Sequence, residues 1–90
     1  MTECTLLNAI KEAVDNGINI EFRAYHDIGS IHIDLVKDRI HDGFIVTRSM
    51  FNNSLDYEVI VAREIRIRTR QILDMEEKIK RLREETNEQA

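Results

Sequence analysis

Residues 55–85, LDYEVIVAREIRIRTRQILDMEEKIKRLREE, decide the fold. The stretch holds no Gly and no Pro, and beyond Arg70 it is rich in Glu, Lys, Arg, Leu and Met, which lose little side-chain freedom in a helix. Its first half pulls the other way. Val59, Ile60, Val61, Ile65, Ile67 and Thr69 are β-branched, and residues 64–70 alternate polar with apolar, so a fourth strand at 57–62 or 63–69 competes with helix. No turn residue separates this half from the helical end, and the sequence therefore predicts one continuous helix over 55–85, followed by a frayed polar tail at 86–90.

A helix of about 31 residues is roughly 46 Å long. The small body formed by residues 1–60 should be only about 26 Å across, so the helix must overhang it. Val61, Ile65, Ile72, Met75, Ile79 and Leu82 fall on spacings of four and three, the seam of a coiled coil, broken where Arg68 takes a core position. The expectation is that the first half of the helix packs on the body. Ile65, Ile72, Met75, Ile79 and Leu82 then form an oligomer interface, and the helix is the assembly element of a homodimer or higher oligomer. Folding the seam back on an N-terminal helix is the competing reading, but such a helix of roughly 12 residues spans only about 18 Å. At about 25 cal/mol per Å², covering Met75, Ile79 and Leu82 would add several kcal/mol per chain. The flanking Glu76, Lys78, Arg83 and Glu85 have mixed signs and leave the helix orientation open.

Upstream, Leu6, Leu7, Ile10, Ala13 and Val14 recur at helical spacing, with Thr5 or Thr2 as N-cap and Asn16-Gly17 as the stop. From Ile18 the period becomes two. Ile18, Ile20, Phe22 and Ala24 alternate with polar residues, and Ile31, Ile33 and Leu35 repeat the pattern after a loop at Asp27-Ile28-Gly29-Ser30. This hairpin sets Phe22 opposite Leu35 and Ala24 opposite Ile33, with Arg23 facing Asp34 and Tyr25 facing His32 outside. Asp42-Gly43 signals a second turn before a third strand over 44–48, and Ile40, out of parity with Ile31, Ile33 and Leu35, calls for a bulge or bend within 36–40. Asn52-Asn53-Ser54 offers caps for the long helix. The fold class is α+β: an N-terminal helix, a three-stranded antiparallel meander and a long C-terminal helix used for oligomerisation.

Ninety residues with 13 Lys/Arg and 17 Asp/Glu carry a net charge of −4, while 42% hydrophobic content is enough to fold. So short a chain has a thin core, and a partner subunit is the expected supplement, because the lone Cys4 forms no internal disulfide. Cysteine usage points to a reducing, cytoplasmic setting. No run approaches the ~18 apolar residues of a membrane span, and the N-terminus lacks the pattern of a signal peptide. The acidic balance argues against generic adhesion to DNA or anionic lipid. Residues 1–62 hold ten acids and five bases, whereas residues 63–90 hold eight bases and seven acids.

Three chemistries are open to these residues. Glu21, Arg23, Tyr25, His32, Asp34 and Asp38, exposed on the meander, would form a surface for a protein partner. Arg63, Arg66 and Arg70 would make a guanidinium stripe able to grip carboxylate or phosphate, the alternative being a solvated helix face balanced by Asp74. His26, His32 and His41 lie near Asp27, Asp34 and Asp42, but their spacing does not bring three ligands together, and no metal or cofactor is expected. Cys4 and the serines lack any glycine-framed nucleophile turn, so no catalysis is expected. The reading is a small, non-catalytic oligomeric binding protein that recognises another macromolecule. The acidic body admits an inhibitor of a nucleic-acid-handling complex, of the virus- or prophage-encoded anti-defence kind. A nucleic-acid or nucleotide binder using the Arg stripe is the alternative.

Overall fold

The computed structural model describes residues 5–47 and 57–89. The N-terminal helix α1, Leu6–Asp15, opens on Thr5, whose hydroxyl accepts from the Asn8 amide at 3.1 Å. It closes in a Schellman motif: Gly17, at φ +80°, donates to the Val14 carbonyl at 2.9 Å and Ile18 donates to Ala13 at 3.0 Å. Its buried line is Ala9 and Ala13 with Leu6 and Ile10 beside them, which leaves Leu7 and Val14 exposed. Small side chains at Ala9 and Ala13 let the helix come close to its neighbour.

Three strands follow, β1 Asn19–Tyr25, β2 Ser30–Lys37 and β3 Ile40–Thr47, in the order β1-β2-β3 with antiparallel pairing throughout. Phe22 pairs with Ile33, Ala24 with Ile31, Arg23 with His32 and Tyr25 with Ser30, a register two residues away from the one expected. The loop is His26 to Gly29, closed by Gly29 at φ +62°, so Ser30 begins β2. A shift of two preserves parity, and every side chain keeps its expected face. The second turn is Asp38-Arg39, with Asp38 at φ +54° as tight hairpin turns demand. Asp42-Gly43 is therefore no turn but the middle of β3. The parity change at Ile40 is produced by this reversal and not by a bulge, since Ile40 stands across from Lys37 on a new strand.

The long helix α2 runs Tyr57–Gln89, 33 residues, reaching past the point where the polar end was expected to fray. Residues 57–69 are helical and form no fourth strand. Val61, Ala62, Ile65, Thr69 and Ile72 are buried along one side against α1 and the inner sheet face, where Ile33, Leu35 and Val46 meet them. The buried Thr69 hydroxyl donates to the Ile65 carbonyl at 2.7 Å, which removes the cost of its burial. Both helices lie on one face of the sheet, so the opposite face carries no second layer among the described residues. At about 1.5 Å per residue α2 is roughly 50 Å long. It dominates the longest molecular extent of 55 Å. Thr2, Cys4, Arg48, the caps at 52–54 and Ala90 lie outside the described residues.

Gly43 stands opposite Asp34, and a Cβ added there would lie 2.6 Å from Asp34 Oδ1 and 3.2 Å from the Ile33 carbonyl oxygen. Gly43→Ala should cost about 1 kcal/mol in urea unfolding by displacing that carboxylate. The same substitution should cost clearly less in an Asp34→Ala background, and equal losses in both would show that the carboxylate is not what the glycine accommodates.

Candidate functional site: the open sheet face and the overhanging helix

Rungs on the uncovered sheet face run Tyr25-Ser30-Thr47, Arg23-His32-Ile45, Glu21-Asp34-Gly43 and Asn19-Val36-His41. Asp34 is its electrostatic centre. Arg23 donates to Asp34 Oδ2 at 2.7 Å, His41 Nε2 lies 3.2 Å from Oδ1, and Glu21 approaches Arg23 at 3.5 Å. The missing side chain at Gly43 is what lets the Asp34 carboxylate settle over β3. Hydrogen bonding from Arg23, reinforced by the charges of Arg23 and His41 against a smaller opposing effect of desolvation, holds the Asp34 carboxyl below its ordinary value of 3.8. Toward the other end of the face, Tyr25 and His32 meet edge to face at 4.9 Å, and Ile45 is 51% exposed beside them.

Of the residues expected on a partner-binding surface, Glu21, Arg23, Tyr25, His32 and Asp34 do share this face. Asp38 does not; it sits in the β2–β3 turn, against the far end of α2. Ile45, within the expected third strand, also belongs to the face, as do His41 and Gly43, which were missed because reading Asp42-Gly43 as a turn removed them from the strand. The parity of Ile40 was the signal that would have restored them.

The arginines divide. Arg66 donates to Glu12 of α1 at 3.1 Å, while Arg63 and Arg70 are exposed and form no ion pair among the described residues. The middle of the expected stripe is thus engaged in holding α1. Arg68 points inward, donating to Asp42 at 2.8 Å, lying 3.4 Å from Glu64 and stacking over Phe44 with 5.0 Å to the ring centroid. This explains the break in the seam: the core position faces an acid on the inner sheet face.

The seam itself also divides. Ile65 and Ile72 are 0% and 1% exposed within a single chain, so they belong to its own core and cannot serve an interface between chains. Met75 is 49% exposed, Leu82 61% exposed, and Ile79 is half-buried near Ile40. Of the expected interface, Met75 and Leu82 with part of Ile79 remain available.

Among the described residues no three His, Cys, Asp or Glu side chains converge as a metal site, and His26 falls in the first hairpin loop while His32 and His41 lie on the open face. No helix among the described residues is long and apolar enough to cross a membrane. Comparison with protein-family models, with curated proteins and with solved structures gives no match.

Because the folded value of Asp34 is depressed, the stability it lends is present at neutral pH and is lost as pH falls through that folded value, below about 4. Arg23→Gln should move the Asp34 carboxyl midpoint upward toward its ordinary value in an NMR titration. An unchanged midpoint would separate Arg23 from the electrostatics of this face.

Proposed function

We propose that this protein is a non-catalytic, self-assembling binding protein: the outer end of α2 joins copies, and the open sheet face meets a macromolecular partner. The observation that carries the reading is the exposure of Met75 and Leu82, 49% and 61%, one helical repeat of seven apart, on the side of a rod that runs beyond its sheet. Apolar side chains so placed gain by being removed from water, and a core this small gains from the extra burial. The same segment runs from the acids Glu76 and Glu77 through the bases Lys78, Lys80, Arg81 and Arg83 to Glu84 and Glu85, so a second copy meets charges of both signs along the seam flanks.

The sheet face supports the recognition half. It combines an aromatic pair, an exposed aliphatic and a central ion network on a rigid platform, the mixture from which protein interfaces are built. An inhibitor presenting carboxylates in place of phosphates would draw on Asp38 more than on Glu21, which Arg23 approaches, or Asp34, whose charge Arg23 and His41 already engage. A single cysteine in 90 residues supports a cytoplasmic setting. The nucleotide-binding alternative loses weight with Arg66 committed to Glu12.

Light scattering tests the assembly directly. The wild type should have at least twice the 10.6 kDa mass of one chain, and Leu82→Asp and Met75→Asp should lower it toward one chain with circular dichroism retained. A wild type that stays at 10.6 kDa at high concentration overturns the reading.

A further inference from the structure

Where α2 leaves the sheet it passes over the β2–β3 turn, and the space between them is a half-open cleft of about 590 Å³. Arg39 and Ile40 stand on the turn side, and Ile79, Lys80 and Arg83 on the helix side. Its lining holds three acids, Asp38, Glu76 and Glu77, and three bases, Arg39, Lys80 and Arg83. Glu76 accepts from Lys37 at 2.9 Å, and Glu77 lies 3.6 Å from Arg81, so both acids on the helix wall are already engaged by cations outside the cleft. Among the described residues Arg39, Lys80 and Arg83 form no ion pair, and Asp38 is the one lining acid without a cation. Counted with Lys37 and Arg81, five cations stand against three acids around this notch, on a chain of net charge −4 and over an apolar floor of Ile40 and Ile79.

We propose that the cleft binds an acidic peptide segment of a partner protein, with an apolar side chain against Ile40 and Ile79 and flanking carboxylates on Arg39, Lys80 and Arg83. Arginine forks pair with carboxylates in two-pronged hydrogen bonds, and the lysine adds a third positive contact. The volume suits a few residues of extended chain, and the open ends let that chain enter and leave, whereas a bare inorganic anion would leave the apolar floor exposed. Among the described residues no aromatic side chain lines the cleft to stack a base, which sets it apart from sites for single-stranded nucleic acid.

The site shares only Ile79 with the assembly seam. Met75 borders a second, smaller crevice on the opposite flank of Ile40, together with Gln71 and Lys78. At about 100° per residue, Arg83 lies about 80–100° and Lys80 about 140–160° around α2 from Met75 and Leu82. A second copy on Met75 and Leu82 therefore leaves Arg39, Lys80 and Arg83 open, and loss of either site is read separately.

The test is selection from a random dodecapeptide display library on immobilised full-length protein. Enriched sequences should carry two or more Asp/Glu around one apolar residue. Their retention should fall about tenfold or more on Arg39→Glu/Arg83→Glu, and should weaken with added salt. It should persist on Leu82→Asp, which perturbs only the seam. Circular dichroism of the double variant confirms that it is folded, since both arginines are exposed. No enrichment, enrichment of neutral or basic sequences, or equal retention by the folded double variant would overturn the proposal. Enriched peptides displaced by an oligonucleotide but not by free glutamate peptide would overturn the choice of ligand.

Discussion

The structure depends on one stripe of α2. Val61, Ala62, Ile65, Thr69 and Ile72 are buried, and they close the core of α1 and the sheet alike. Without that stripe the apolar inner face of the meander has no lid, and a ten-residue α1 is too short to hold together alone. Full burial of five positions on one helix accounts for why β-branched residues that locally favour strand are helical here. Their apolar surface is worth more inside the core than their intrinsic preference is worth in isolation, which amounts to only a few tenths of a kcal/mol each.

Ion pairs continue the stripe past the point where apolar packing ends. Arg68 on Asp42 and Lys37 on Glu76 tie α2 to the inner face near the β2–β3 turn at 2.8 Å and 2.9 Å. Half-exposed pairs of this kind contribute little net stability, but their geometry fixes where along the sheet the helix lies. That placement determines what projects beyond the turn: Met75 and Leu82 on one flank, Lys80 and Arg83 on the other. The opposite sheet face is left uncovered among the described residues because both helices lie on the first.

Much of this was legible in the residues. Asn16-Gly17 marked the end of α1, the alternation at Ile18 to Ala24 and Ile31 to Leu35 marked two strands, and the absence of breakers after Leu55 marked the long helix. Parity survived an error in register, because a slip of two residues moves no side chain across the sheet. What failed was turn chemistry. Asp-Gly is the stronger turn dipeptide, yet Asp42-Gly43 lies in a strand, where the glycine makes room for Asp34. The actual turn uses Asp38 in a left-handed conformation, which local composition does not announce. On α1 the spacing rule found Ala13 but included the exposed Leu7 and Val14 and left out the buried Ala9, a choice set by the approach of α2. Arg66 looked like part of a free stripe, and only the tertiary position of Glu12 shows otherwise.

The central claim is that α2 has two roles along its length, core lid at its beginning and assembly element at its end. Amide hydrogen exchange along the helix at a series of protein concentrations tests this most directly. The account predicts slow exchange across residues 61–73 at every concentration, with residues 76–86 exchanging fast when dilute and becoming protected as concentration rises. Equal, concentration-independent protection along the whole of α2 would contradict it.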